Sequence, residues 1–113
     1  MVGDVDRLFM GREPVVRDIY ARLLEALGSF GPFREEPKKA SIHLVCASGF
    51  AGVHPRKSFL YLNLRTAGPI DGPRVVKREQ VSRGRWHNEV KLSSPGEVDD
   101  ELLGWLRAAY DRG

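Results

Sequence analysis

The sequence predicts a single α+β domain, with an N-terminal and a C-terminal helix packed on one face of an antiparallel sheet of about five strands. Apolar residues recur at helical spacing over Pro14–Gly28, and a second helical pattern with a capping motif follows Ser94. Between these helices, Leu60, Leu62 and Leu64 alternate with other residues, which is typical of a strand with one buried face. The length of 113 residues predicts one domain, residues 1–113.

The first helix is predicted to begin at Pro14, because the first helical position does not need the N–H that proline lacks. Gly28 is expected to end the helix in the left-handed conformation. Leu8 and Phe9, just upstream, are expected to pack against the core. The apolar stripe of this helix consists of Val16, Ile19, Tyr20, Leu23, Leu24 and Leu27.

The strand candidates lie between residues 33 and 92, where the apolar period shortens and Gly or Pro pairs separate the segments. In chain order they are 33–36, 41–47, 50–54, 59–65, 75–81 and 86–92, the first being the weakest. Residues 66–73 are rich in Gly and Pro and are predicted to form a loop.

The second helix is predicted to start at Ser94, with Pro95 in its first turn and Glu97 completing a capping box. The acidic residues 99–101 would then lie near the positive end of the helix dipole. Its apolar stripe consists of Val98, Leu102, Trp105, Leu106 and Ala109.

Composition and charge exclude several classes of protein. The hydrophobic share of 42% and charged share of 29% are those of a globular protein. Cys46 is the only cysteine, so no internal disulfide is possible, and no apolar run approaches the length of a membrane span. The N-terminus has acidic residues where a signal peptide would have basic ones. We therefore expect a cytoplasmic protein with no membrane contact.

The positive charge is concentrated in the middle of the chain. Residues 34–91 contain twelve basic and five acidic residues, whereas the whole chain has a net charge of +3. Such a segment permits binding to nucleic acid, to another anionic ligand or to an acidic protein surface, without requiring any of them.

Two helices suffice to cover one face of the sheet, so the other face is predicted to be open and to carry the binding site. The alternation of the strands, together with the basic turns at their ends, selects the candidates for that face. The candidate binding residues are His43, Arg56, Lys57, Phe59, Tyr61, Asn63, Arg65, Arg83, Arg85, His87 and Lys91. Aromatic residues with flanking cations can stack bases and contact phosphates, so single-stranded nucleic acid is the most concrete partner.

Two other functions remain open at this point. The same aromatic face could be covered by a second copy of the chain, giving a homodimer or another protein-interaction domain. The loop at 68–73, or Phe30 and Phe33, could cover Phe59 and Tyr61 within one chain, and a small ligand or a catalytic site could occupy a pocket under that loop.

No residue pattern nominates a catalytic centre, a metal site or a cofactor. His43, His54 and His87 lack metal-ligand spacing, although His43 and His87 could meet across the sheet. Cys46 lies in an apolar run and is expected to be buried and unreactive. The chain contains no phosphate-binding loop or dinucleotide fingerprint. The sequence therefore favours a binding module over an enzyme.

Five stretches of the chain carry a resemblance to a known family. In chain order they read LFMGREP, PKKASIHL, PRKSFLYLNLR, RWHNEVKLSSP and VDDELLGWLRAAY. Together they resemble an uncharacterised bacterial domain-of-unknown-function family, which also occurs as the C-terminal module of so-called predicted transport proteins with a nuclease-like N-terminal part. The resemblance implies a compact α+β domain and no assigned catalytic residues. The positions typical of the family are Lys39, Arg56, Asn63, Trp86 and His87, of which Trp86 is expected in the core.

Overall fold

The computed structural model describes residues 4–112, which form three α-helices, a short 3-10 helix and one antiparallel sheet. The helices are α1 (Asp4–Arg7), α2 (Pro14–Gly28) and α3 (Asp100–Arg112). The strands are β1 (Arg34–Pro37), β2 (Ile42–Val45), β3 (Gly49–Pro55), β4 (Leu60–Thr66), β5 (Val75–Ser82) and β6 (Arg85–Leu92). No helix in this part of the chain is long and apolar enough to cross a membrane.

Within the described residues the sheet has six strands, in the order β1-β2-β3-β4-β6-β5, rather than about five. The weak 33–36 candidate is the sixth: β1 pairs with β2, Glu36 lying opposite His43. Two glutamates and a terminal proline obscure this strand in the sequence. An edge strand tolerates them because one of its sides needs no hydrogen-bonding partner.

The two long helices and the inward side chains of the strands form one core, which confirms the predicted fold class. Leu23 of α2 and Leu102 of α3 lie in the same buried cluster as Leu62 of β4 and Val90 of β6. The helices thus cover one face of the sheet. Upstream of α2, Leu8 and Phe9 are buried in this core, as the sequence predicts.

Both helix boundaries depart from the prediction in detail. Gly28 stays helical, and Ser29 is the C-cap with φ −80°, so no left-handed residue is needed there. The Glu97 carboxylate accepts a hydrogen bond from the Ser94 amide (3.1 Å), but this motif begins only the 3-10 helix Pro95–Glu97. The chain then leaves the helical conformation to bury Val98, and α3 begins at Asp100.

The loop at 67–74 packs on the face that carries the helices. Asn88 is fully buried there: its Oδ1 accepts a hydrogen bond from Ile70 N (2.8 Å), and its Nδ2 donates to Thr66 Oγ1 (2.7 Å) and to the Leu64 carbonyl (3.3 Å). Arg78 donates to the Ile70 carbonyl from the adjacent strand (2.7 Å). The expectation that this loop covers Phe59 and Tyr61 on the opposite face is therefore wrong.

The edge strand β5 contains two extra residues relative to β6. The register shifts between Val75 and Lys77 and again between Gln80 and Ser82, which leaves Val76 and Val81 without a direct partner. These valines are 57% and 45% exposed. A bulge of this kind bends the strand and interrupts the regular hydrogen-bonding edge.

The buried Tyr20 makes stability sensitive to alkaline pH. It is 1% exposed, and its hydroxyl donates to Glu35 Oε1 (2.5 Å). Burial, together with the Glu35 carboxylate, raises the pKa of Tyr20 above its ordinary value of 10.0. Above that pH the unfolded chain loses this proton while the folded chain keeps it. Above pH 10.0, Tyr20 should therefore lower the free energy of unfolding by about 1.4 kcal/mol for each further pH unit.

The Tyr20→Phe variant should lack this contribution. Urea unfolding of both proteins between about pH 9 and pH 11 measures it, because an ordinary tyrosine titrates within that range. Parallel pH profiles for the two proteins would contradict the assignment.

Candidate functional site

The sheet face opposite the helices brings most of the predicted residues together. Residues paired across neighbouring antiparallel strands point to the same side, so the pairs Tyr61–Lys91 and Arg65–His87 share a face. Tyr61 and His87 thus lie on one face, as the alternation predicts. We call this surface the open face; it comprises His43, His54, Tyr61, Asn63, Arg65, His87, Glu89 and Lys91.

The open face is only partly accessible. Lys91 is exposed, whereas Tyr61, Asn63, Arg65 and His87 are half-buried by their neighbours. A partner would therefore contact edges and tips of side chains rather than a fully solvated surface.

One end of the open face carries a compact group that we call the aromatic cluster: Arg56, Phe59, Tyr61 and Lys91. The two rings meet edge to face, with centroids 5.2 Å apart. The Lys91 ammonium lies 4.4 Å from the Phe59 ring centre, and the Arg56 guanidinium lies 5.5 Å from that of Tyr61. The four residues thus form one patch, although Arg56 and Lys91 are 35 positions apart in the sequence.

Lys57 follows Arg56 of the aromatic cluster in the chain, and its backbone makes a contact with another part of the fold. Its carbonyl accepts a hydrogen bond from Glu13 N (2.8 Å), which fastens the β3–β4 turn to the segment that precedes α2. The Lys57 residue itself is exposed.

The three histidines favour the neutral form. Burial lowers the pKa of His43, His54 and His87, and nearby arginines add to the effect: Arg65 for the first and last, and Arg56 for His54. His43 and His87 do not meet, because three strand spacings, about 14 Å, separate β2 from β6. Among the described residues, no group of three or more His, Cys, Asp or Glu side chains could hold a metal ion.

Asn63 and Gly52 form the middle of the open face. They are paired across β3 and β4, and a side chain at Gly52 would come within 3.9 Å of the Asn63 Cβ and 3.7 Å of the His54 Nε2. The Asn63 Oδ1 is buried and has no hydrogen-bond partner among the described residues. The centre of the open face therefore contains a buried acceptor that the described residues leave unsatisfied.

The open face is less basic than residues 34–91 suggest. The register places Glu36 beside His43, Glu79 beside His87, and Glu89 beside Asn63. Two of the segment's cations, Arg74 and Arg78, are used on the helix-bearing side, where Arg74 contacts Asp99 (2.8 Å) and Arg78 holds the 67–74 loop.

The predicted cations divide between the two ends of the sheet. Arg56 and Lys91 lie where β4 begins, whereas Arg65 lies near its end and Arg83 and Arg85 lie at the β5–β6 turn. With seven residues in β4, these ends are about 20 Å apart. Arg83 is exposed at the two-residue turn, where Gly84 takes a φ of 71°.

A cavity of about 360 Å³ lies at this second end, where β3, β4 and the β5–β6 turn meet the last turn of α3. We call it the end cavity. It joins three predicted residues, Arg65, Arg85 and His87, with residues that the sequence did not nominate. The other lining residues include Arg112, Trp86, Val81, Ser48 and Thr66.

Two expectations about single residues are corrected at this end of the sheet. Trp86 is half-buried in the wall of the end cavity rather than in the core, because it is the second residue of β6 and lies opposite Thr66, the last residue of β4. Cys46 is half-buried rather than fully buried, because β2 ends at Val45 and Cys46 lies in the following turn. The approach of α3, which brings Arg112 to the β5–β6 turn, has no local signal in the sequence.

The fold and this surface define a class: a small α+β domain with a six-stranded antiparallel sheet, helices on one face and a polar, aromatic-bearing opposite face. Comparison with known families assigns the chain to a family of unknown function. The model of the family "Domain of unknown function (DUF5655)" matches residues 5–113, and the chain belongs to this family. No curated protein and no solved structure matches the chain significantly.

Proposed function

We propose that this chain is a non-enzymatic binding module whose open face contacts an anionic partner, namely single-stranded nucleic acid. The observation that carries the proposal is the aromatic cluster. Phe59 and Tyr61 are half-buried aromatic residues at the surface, and Arg56 and Lys91 lie beside them. Unpaired bases stack on such rings while the cations contact the phosphates, in a manner that tolerates many sequences.

The centre of the open face supports the same partner. The half-buried Asn63 amide lies there, and turning it outward would let its unsatisfied Oδ1 accept a hydrogen bond from a base amino group. The neutral imidazoles of His43 and His54 can donate or accept hydrogen bonds without adding charge. Because Glu89 lies on the same face, we expect moderate affinity with clear salt dependence.

The proposal is tested by fluorescence anisotropy with labelled single-stranded DNA and RNA. With about three phosphate contacts, the logarithm of affinity should fall with a slope near −2 against the logarithm of salt concentration, or about 20-fold between about 50 and 200 mM. The Lys91→Glu variant should bind more weakly and show a shallower slope. The control is Arg22→Glu, which makes the same charge change on α2, on the other side of the sheet.

Three results would contradict the proposal. They are the absence of binding at low salt, equal binding to a duplex whose bases are unavailable for stacking, and equal losses in both charge variants. Light scattering distinguishes the dimerisation alternative: a dimer that dissociates in the Phe59→Ala or Tyr61→Ala variant would assign the open face to a second copy of the chain.

The proposed setting is the bacterial cytoplasm. A single cysteine, Cys46, suits a reducing compartment because the chain forms no internal disulfide. Expression of a tagged chain, followed by fractionation, tests the setting, and recovery outside the cytoplasm would contradict it.

A further inference from the structure

We propose that the end cavity is a binding site for a nucleoside monophosphate, either as a free mononucleotide or as the phosphorylated end of a single strand. The inference rests on the proposed function only for the second of these sources, since the aromatic cluster lies about 20 Å away, the length of β4. A free mononucleotide could bind even if the open face bound nothing.

The first argument is charge. Three guanidinium groups, those of Arg65, Arg85 and Arg112, line the cavity together with His87, and none of the described lining residues is acidic. None of the three arginines forms an ion pair with a described carboxylate. Like charges brought together in this way favour a bound anion, and a phosphate monoester carries about −1.5 to −2 charges at neutral pH.

The second argument is that two of the guanidinium groups are held in place. Arg65 Nη1 donates to the Gly49 carbonyl (3.1 Å), and Arg112 Nη2 donates to the Gly84 carbonyl (2.7 Å). Each bond leaves further N–H groups of the same guanidinium available. A Cβ at Gly49 would collide with the Arg65 guanidinium, so the glycine leaves the space that this group occupies.

The third argument is the shape and chemistry of the remaining wall. The half-buried Trp86 lines the cavity, and the exposed Val81 adds an apolar surface from the β5 bulge. An indole can stack on a base, and the Ser48 hydroxyl can bond a sugar or a phosphate. The volume of about 360 Å³ lies at the lower end of the usual range for small-ligand pockets.

The test is isothermal titration of the full chain with adenosine 5′-monophosphate, adenosine, inorganic phosphate and citrate. We expect the nucleotide to bind more tightly than each of the other three. It should also quench Trp86 fluorescence, read in a Trp105→Phe background because the chain has two tryptophans. No binding of the nucleotide, equal binding of phosphate, or tighter binding of citrate would overturn the assignment.

Two variants locate the site. Arg112→Ala should weaken nucleotide binding by about tenfold, the loss expected for one charge-assisted hydrogen bond. Gly49→Ala should also weaken it, because it displaces the Arg65 guanidinium without removing its charge. The control is Arg107→Ala, on the same helix but paired with Asp111 (3.1 Å) outside the cavity. An equal loss in Arg112→Ala and the control would contradict the location, provided that the melting temperatures agree.

Oligonucleotides with a 5′-phosphate or a 5′-hydroxyl distinguish the two sources. A preference for the phosphorylated end that disappears in Arg112→Ala identifies a strand terminus, whereas no preference with nucleotide binding retained identifies the free mononucleotide. Failure of the open-face proposal is recognised separately, because Lys91→Glu should weaken 5′-hydroxyl strands and leave binding of the mononucleotide unchanged.

Discussion

Replacing Asn88 with alanine is expected to lower the free energy of unfolding by about 3 kcal/mol. The change removes the Oδ1 acceptor of the Ile70 amide, and it removes the Nδ2 group that donates to the Thr66 hydroxyl oxygen and to the Leu64 carbonyl. Because Asn88 is fully buried, water cannot easily replace these bonds. Urea unfolding measures the loss, and hydrogen exchange at the Ile70 amide should accelerate more than exchange in β3.

Asn63 provides a matched control for this prediction. It lies on β4, on the opposite face of the sheet, and its Oδ1 has no partner among the described residues. Asn63→Ala removes the same side chain without orphaning a partner of that oxygen, so we expect a change below about 1 kcal/mol. Equal destabilisation by the two substitutions would show that the bonds of Asn88 to the loop do not determine its effect.

The double variant Phe59→Ala/Tyr61→Ala is expected to weaken binding of single-stranded DNA by about 30-fold or more, since each stacked base contributes about 1–3 kcal/mol. The salt slope should change little, because Arg56 and Lys91 remain. Anisotropy titrations at two salt concentrations separate this loss of stacking from a loss of charge.

Trp105→Ala is the control for the aromatic variants. Its ring also has a cation over it, the Arg74 guanidinium at 5.9 Å, but this pair lies beside the 67–74 loop on the helix-bearing side. Binding should therefore be retained in this variant. If Trp105→Ala lost as much affinity as the double variant, the open face would not be the contact surface.

The fold was largely predictable from local patterns. The alternation of Leu60, Leu62 and Leu64 and the apolar stripe of α2 both report which side is buried, and burial follows from periodicity alone. The start of α3 was not predictable, because the Ser94 capping motif is genuine and the burial of Val98 then breaks the helix. That break depends on the core and not on neighbouring residues.

The sequence predicted which residues of the candidate site share a face of the sheet. It did not predict the acidic residues beside them or how far they are buried. Alternation places Tyr61 and His87 together, but only the strand order shows that Glu36 and Glu79 accompany the histidines. The end cavity depends on Arg112 reaching the β5–β6 turn across the fold, which is a property of helix packing. The sequence shows which residue types are available for such a site, but only the tertiary structure shows which of them lie close together.

The two extra residues in β5 bear on how the domain behaves when it is concentrated. A regular outer strand presents free amide and carbonyl groups that a neighbouring molecule can continue, and this continuation is the first step towards fibrils. In β5 the interruptions at Val76 and Val81 flank the charged residues 77–79. Although both valines face solvent, this edge offers a poor template, and the polypeptide is thereby protected from ordered aggregation along its most accessible strand.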